Sequence, residues 1–358
     1  MSKLDFWRLL PTSHVPGAAA AEGRRAEDEG WAGVGVADSQ STVPDPYIEL
    51  TVAGLATSRL KLATSVTNPY TRDPAVTASA ISTLHFESRG RAVLGIGRGD
   101  SSLAHLGLAP APVRVLQDYL ERLQLLLRGE ETPFRESTRS VNRGSDSMGM
   151  ASRPTTTSIR WLDGAAERVA VDVAATGPKV IAMAATVADR LTLAVGASPD
   201  RVRWAIDLAR AARVTAGLDP LGLGIGLYVP VAVHPSVAIA RRLLAGEAAS
   251  FARFSVMHGT VVGPTSVGIG ASLRQVHSEY DMAMHYTAGS RQSRVLTDDL
   301  IDEFCVAGPA GLCIDRLCQF MDMGVTKIFV LRPGRGVDPD IHAEADRALV
   351  EGVVAVMA

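Results

Sequence analysis

The stretch RAVLGIGRGDSS, residues 91–102, sets an acid among glycines after an apolar run. It fails both common nucleotide patterns. A dinucleotide fingerprint needs glycines at its first, third and sixth positions, and the sixth position counted from Gly95 is Asp100. A phosphate loop ends in Gly-Lys-Ser/Thr, and no lysine lies nearby. What stays open is some other use of bare backbone beside a ligand, with Gly97 and Gly99 next to a carboxylate, Asp100. Asp38 follows another apolar run, and a carboxylate in such a place is solvated, paired or functional. His14 is either a solvated loop imidazole or a neighbouring proton carrier. In Thr176-Gly177-Pro178-Lys179, a cap, an open glycine and a first-turn proline present free amides and the positive end of a helix dipole. That suits a phosphate, with Lys179 adding charge, and it equally suits a plain helix start. SVTNPYTRDP, residues 65–74, ends an apolar run in two proline turns. It reads either as an ordinary connection or as a strand end shaped to lie against a flat ring.

The elements that must position these residues are read from periodicity. Leu4–Leu10, Gly33–Ala37, Leu60–Thr67, Ala92–Ile96, Val169–Ala174, Leu191–Val195, Leu223–Val233 and Lys327–Leu331 read as strands. Amphipathic helical stretches follow them, among them Pro74–Glu87, Pro178–Ala188, Pro199–Ala216 and Val237–Phe254. In Val113–Arg128, leucines 116, 120, 123, 126 and 127 form one stripe. Eight strands, each followed by helix, predict parallel pairing and a TIM (β/α)8 barrel with insertions, although a doubly wound sheet alternates in the same way. In a barrel the chemistry sits at the carboxyl ends of the strands, where all the stretches above fall. Residues 130–157 and 257–293 are too long for ordinary connections and read as lid-like insertions in a single domain.

The chain has 358 residues, 47% of them hydrophobic and 21% charged, and a net charge of −2. That is material for a large core, with no basic stripe for nucleic acid or an anionic membrane. The N-terminal MSKLDFWRLLPTSH lacks an apolar signal core, and no apolar run is long enough to span a bilayer, so a cytoplasmic protein is expected. Cys305, Cys313 and Cys318 are not in a CxxC spacing and read as unpaired thiols. No HxH or HExxH occurs among the scattered histidines, and no metal is expected.

Taken together, TSVTNPYTRDPAVTASAISTL (64–84), RAVLGIGRGD (91–100), AATGPKVIAMAATVADRLTLAVGASPDRV (174–202) and IDEFCVAGPAGLCIDRL (301–317) resemble the bacterial-luciferase-like superfamily. The likeness is to its deazaflavin branch, which includes methylenetetrahydromethanopterin reductase and other coenzyme F-420-dependent oxidoreductases. The pieces keep the family's order and cover most of the chain. The resemblance implies a TIM barrel and a ring packed against a non-prolyl cis peptide bond at Ser65–Val66, bordered by Thr67 and Asn68. It implies a phosphate held at Thr176, Gly177, Pro178 and Lys179, and a cofactor-side loop at Gly97, Gly99 and Asp100. Many relatives have Asp-His after the second strand where this chain has Asp38-Ser39-Gln40, which weakens a sugar-phosphate dehydrogenase reading. The implied function is hydride transfer between coenzyme F-420 and a small organic substrate, with Asp100, Asp38 or His14 managing the proton and a homodimer as the assembly. The alternatives are an FMN-dependent monooxygenase working with oxygen and a flavin reductase, and a non-catalytic flavin-binding relative.

Overall fold

The computed structural model describes residues 3–11, 13–133, 155–162 and 167–358. Eight strands form the barrel: β1 (Asp5–Leu9), β2 (Gly33–Val36), β3 (Lys61–Thr64), β4 (Ala92–Ile96), β5 (Ala170–Ala175), β6 (Arg190–Leu193), β7 (Gly224–Val233) and β8 (Val325–Leu331). Each pairs in parallel with the next, and β8 closes on β1 through Asp5↔Lys327 and Trp7↔Phe329. The expected TIM barrel is therefore present, and the doubly wound alternative is not.

Alternation along the strands decides what faces in and what faces out. In β2, Val34 and Val36 are fully buried in the main core with Leu50, Leu62 and Leu84. Gly33 and Gly35 have no side chain because the barrel interior is already filled. A Cβ at Gly33 would lie 2.6 Å from the Trp7 ring, and one at Gly35 would lie 2.8 Å from Phe329. The interior also holds a charged pair. Lys327 Nζ lies 2.7 Å from Asp172 Oδ2 and 4.2 Å from the centre of the Trp7 ring, and Thr192 donates to the same carboxylate at 2.7 Å. Gly226 leaves room for this layer, since a Cβ there would meet Thr192 Oγ1 at 2.8 Å.

The outer helices start where capping chemistry places them. Asp45 accepts from the amides of Tyr47 and Ile48 ahead of Pro46–Leu55, and Asp73 accepts from Ala75 ahead of Pro74–Glu87. The leucine stripe of Val113–Leu127 is buried as expected. All three cysteines are free, and among the described residues no helix is long and apolar enough to cross a membrane.

The structure departs from the sequence reading in three places. Helix Val237–Phe254 is two helices, Val237–Leu243 and Ala245–Phe254, because the backbone of Leu244 leaves the helical region. An unexpected short strand, Val306–Gly308, pairs with Val231–Val233. Strand β7 is long enough that β8 covers it only as far as Pro230, and the added strand takes the edge that is left. Residues 257–293 are also less irregular than expected, with helix Val267–Ser278 and a short 3₁₀ turn at Met282–Met284. Of the other insertion, most lies outside the described residues, and its ends pair as Thr132–Pro133 against Thr156–Thr157.

Candidate active site

A cavity of about 800 Å³ opens at the carboxyl ends of the strands. Its floor is the segment after β3. The Ser65–Val66 peptide bond is cis, where the resemblance implied it. The Thr64 hydroxyl donates to the Gly95 carbonyl at 2.7 Å, the Thr67 amide donates to the same carbonyl at 2.9 Å, and the Gly97 amide donates to the Thr67 carbonyl at 2.9 Å. The glycines of GIGRG are explained by this contact. A Cβ at Gly95 would overlap the Thr64 carbonyl at 2.0 Å, and one at Gly99, whose φ is +77°, would lie 2.6 Å from Asn68 Cβ. The glycine pattern thus receives a neighbouring strand end, which a phosphate-binding reading of the same letters would miss.

Asp38 is buried, and its carboxylate accepts from Thr67 at 2.6 Å, from Arg72 at 2.6 Å and from Gln40. Arg72 reaches on to Asp45 and lies 4.8 Å over the Tyr47 ring. With three donors on it, Asp38 fixes Thr67 behind the cis bond, so its geometry is that of a positioning residue. Asn68 is buried and turns its side-chain oxygen to the amides of Tyr70 and Thr71. Thr67 and Asn68 lie behind the cavity wall, whereas Ser65, Val66, Gly97, Gly99, Asp100, Thr176 and Gly177 line it. Pro178 and Lys179 are exposed outside that lining, as is His14. Gly177 precedes helix Pro178–Val187, and a Cβ there would meet nothing within 4 Å.

Asp100 stands on the wall in a two-pronged ion pair with Arg253, at 2.5 and 3.1 Å. Arg253 in turn lies 4.9 Å over the Tyr280 ring. Beside the pair runs a chain of neutral groups. Ser101 Oγ lies 3.0 Å from His285 Nε2, His285 Nδ1 meets the Tyr280 hydroxyl, and that hydroxyl donates to Ser250 at 3.1 Å. Burial, aided by the charge of Arg253, pushes the His285 imidazole down to about 3, and burial pushes the Tyr280 phenol up to about 12. His285 is therefore uncharged at neutral pH, with one ring nitrogen donating and the other accepting.

A stability consequence follows from His285. An unfolded His285 takes up a proton below its ordinary value of 6.5, while the folded one resists until about 3. The stability that this group contributes is complete above about 6.5 and is lost as pH falls toward about 3. In His285→Gln the acid limb of a Tm–pH curve should be visibly shallower than in the wild type. Superimposable acid limbs would contradict the neutral-imidazole assignment.

Arg253, Tyr280 and His285 were not singled out in the sequence, and neither was Glu247, which also lines the cavity. They come from helix Ala245–Phe254 and the turn after Val267–Ser278. The only signal in the letters was a cluster of polar and aromatic residues, SEYDMAMHY, in an insertion.

A closed parallel barrel with one large cavity over its carboxyl-terminal mouth is the architecture of a barrel enzyme. More particularly, the model of the luciferase-like monooxygenase family matches residues 6–327, and the chain belongs to that family. It is 26% identical over 314 residues to the 5,10-methylenetetrahydromethanopterin reductase of Methanolobus tindarius, covering 86% of this chain and 88% of that one. Among solved structures, the coenzyme F-420-dependent tetrahydromethanopterin reductase of Methanopyrus kandleri superposes with a TM-score of 0.73 at 21% identity, with all of both chains covered. An F-420-dependent secondary alcohol dehydrogenase in complex with an F-420–acetone adduct superposes at 0.70 and 18% identity, over 99% of this chain and 100% of that one.

Proposed function

We propose that the protein is a coenzyme F-420-dependent oxidoreductase that moves a hydride between the deazaflavin and a small organic substrate. The observation that carries this reading is the cavity that brings Ser65, Val66, Gly97 and the open helix start at Thr176–Gly177 to one mouth, in a chain alike over 86% of its length to a methylenetetrahydromethanopterin reductase. The residues present fit such a ring. Ser65 and Val66 are half-buried, and Gly97 keeps the floor low, because a Cβ there would already press on Val66 Cγ2 at 3.2 Å. Thr176 and Gly177, at an open helix start, would hold the phosphate.

Bound deazaflavin supplies the hydride acceptor or donor, which no side chain can supply. The chain's own residues orient and exclude. Asp38 holds Thr67 and so the floor. Asp100 and Arg253 fix each other at the wall, and that wall holds the neutral Ser101–His285–Tyr280 chain in register. Phe251, Phe254, Met257 and Met282 give the substrate side an apolar lining that keeps water from the transfer. The insertion 257–293 supplies part of that cover. The substrate is accordingly a small, largely apolar molecule.

The second reading, an FMN-dependent monooxygenase with a partner flavin reductase, is favoured by the family's membership. Anaerobic assays separate the two. The deazaflavin reading expects F-420 absorbance to change with alcohol or carbonyl substrates in the absence of oxygen. Oxygen uptake with reduced FMN, and no anaerobic turnover, would overturn it.

A further inference from the structure

Glu247 is the least expected residue of the cavity wall. It sits in the sequence AGEAASF, among small and apolar neighbours in the first two turns of the helix, and only 2% of it is exposed. Space has been made for it. A Cβ at Gly334 would strike Glu247 Oε1 at 2.5 Å, and Gly246 lets the helix lie against the Tyr286–Thr287 backbone, since a Cβ there would be 2.9 Å from it. The amide of Gly334 and its own amide donate to the carboxyl. No charged side chain opposes it among the described residues. The titratable groups that face it are Tyr286, from the turn after the 3₁₀ segment, and Cys305, at the end of helix Asp298–Phe304. Burial raises both well above their ordinary values, so both are neutral near pH 7. An uncompensated carboxyl buried at the edge of a ligand cavity is costly unless it is protonated, and an apolar residue would fill the same space without that cost.

We propose that Glu247 is the site's stored proton: a carboxylic acid facing the cavity that protonates the substrate heteroatom as hydride reaches the adjacent carbon. The inference rests on the hydride-transfer reading above. Its substrate class is a small neutral carbonyl or imine compound. As hydride from the reduced deazaflavin bonds to the C=O or C=N carbon, the π pair moves to oxygen or nitrogen. The Glu247 O–H bond breaks, an O–H or N–H bond forms on the substrate, and Glu247 is left as a carboxylate to be reprotonated from water. In the oxidising direction the same carboxylate takes the proton. Burial pushes its carboxyl up to about 8, which keeps the acid charged with its proton at neutral pH.

The linkage sign is opposite to that of His285. The proton is held in the folded state and released on unfolding above about 4.5, so the stability from this group is full below that value and is lost as pH rises through about 8. Three measurements test the assignment. In cofactor-free protein near pH 6.5, the infrared spectrum should contain a protonated-carboxyl band that shifts in D2O and is missing in Glu247→Gln. The wild type should lose Tm relative to Glu247→Gln as pH rises between about 5 and about 9. In single turnover of reduced F-420 against a panel of small ketones, aldehydes and imines, Glu247→Gln should be slower by about 10²-fold, with unchanged F-420 affinity.

A missing band overturns the proposal whatever the cofactor. A band together with Glu247→Gln turnover as fast as wild type also overturns it and leaves the hydride-transfer reading standing. A band in a wild type that reduces no member of the panel sinks that reading and the proton donor with it, and the intact band tells this failure from the others.

Discussion

Replacing Asp100 with Asn should lower turnover by about 10²-fold while leaving F-420 affinity nearly unchanged. The reason lies in what the carboxylate holds. Both its oxygens are taken by Arg253, and both partners are largely buried, at 16% and 13% exposure. Removing one charge from a pair like this leaves the other uncompensated, a loss of about 2–5 kcal/mol for interactions of this kind. Arg253 already presses on His285, and an unpaired guanidinium is free to move from the Tyr280 ring. The Ser101–His285–Tyr280 chain then loses its register against the cavity. Asp100 acts through Arg253, so the expected signature is a fall in kcat with little change in KM, and partial rescue by Asp100→Glu, which restores the charge. Turnover unchanged in Asp100→Asn would show that the pair is only structural.

The second large effect is on stability. Lys327→Met should destabilise the protein by about 3–5 kcal/mol, because Asp172 is then left charged and unpaired inside the barrel. The two side chains are 3% and 4% exposed, 2.7 Å apart, with Trp7 stacked over the ammonium. Burial lowers the Lys327 pKa, and the contact with Asp172 opposes that shift. Adding Asp172→Leu to Lys327→Met should recover most of the loss, since an apolar pair of similar volume removes the buried charge altogether. Chemical denaturation of the wild type, Lys327→Met and the double variant measures this directly. Equal destabilisation in the single and double variants would show that packing around Trp7, and not charge, decides the stability of this layer.

How far the sequence could be read depends on the range of the interactions involved. The barrel was legible because its signals are local: β2 reads GVGV, the helices start at Asp45-Pro46 and Asp73-Pro74, and the leucines of 113–127 form a single stripe. The floor of the site was not read from local signals: residues 65–74 alone left a plain connection and a ring-facing strand end equally open, and the family resemblance pointed to Ser65–Val66, where the 64–68 and 95–99 segments meet as adjacent strand ends. The short strand Val306–Gly308 was not, because it exists only to cover an edge left by the length of β7. The far wall was not legible either. Asp100 meets Arg253 across 153 positions and Ser101 meets His285 across 184, and no periodicity reports such contacts. Asp38 reads in the sequence as a carboxylate that is solvated, paired or functional, and as one candidate for handling the proton. That its partners would be Thr67, Arg72 and Gln40 depended on the fold of the 65–74 segment. Lys179 and His14, attractive as isolated letters, stand exposed outside the cavity lining.

The central claim is that the cavity over Ser65–Val66 takes a deazaflavin. It is tested most directly by titrating the purified protein with F-420 and, separately, with FMN, following the quenching of each cofactor's fluorescence. The account predicts saturable binding of F-420, weakened when Gly177 is replaced by a bulkier residue at the open helix start, and no comparable binding of FMN. Tight FMN binding with no binding of F-420 would contradict it.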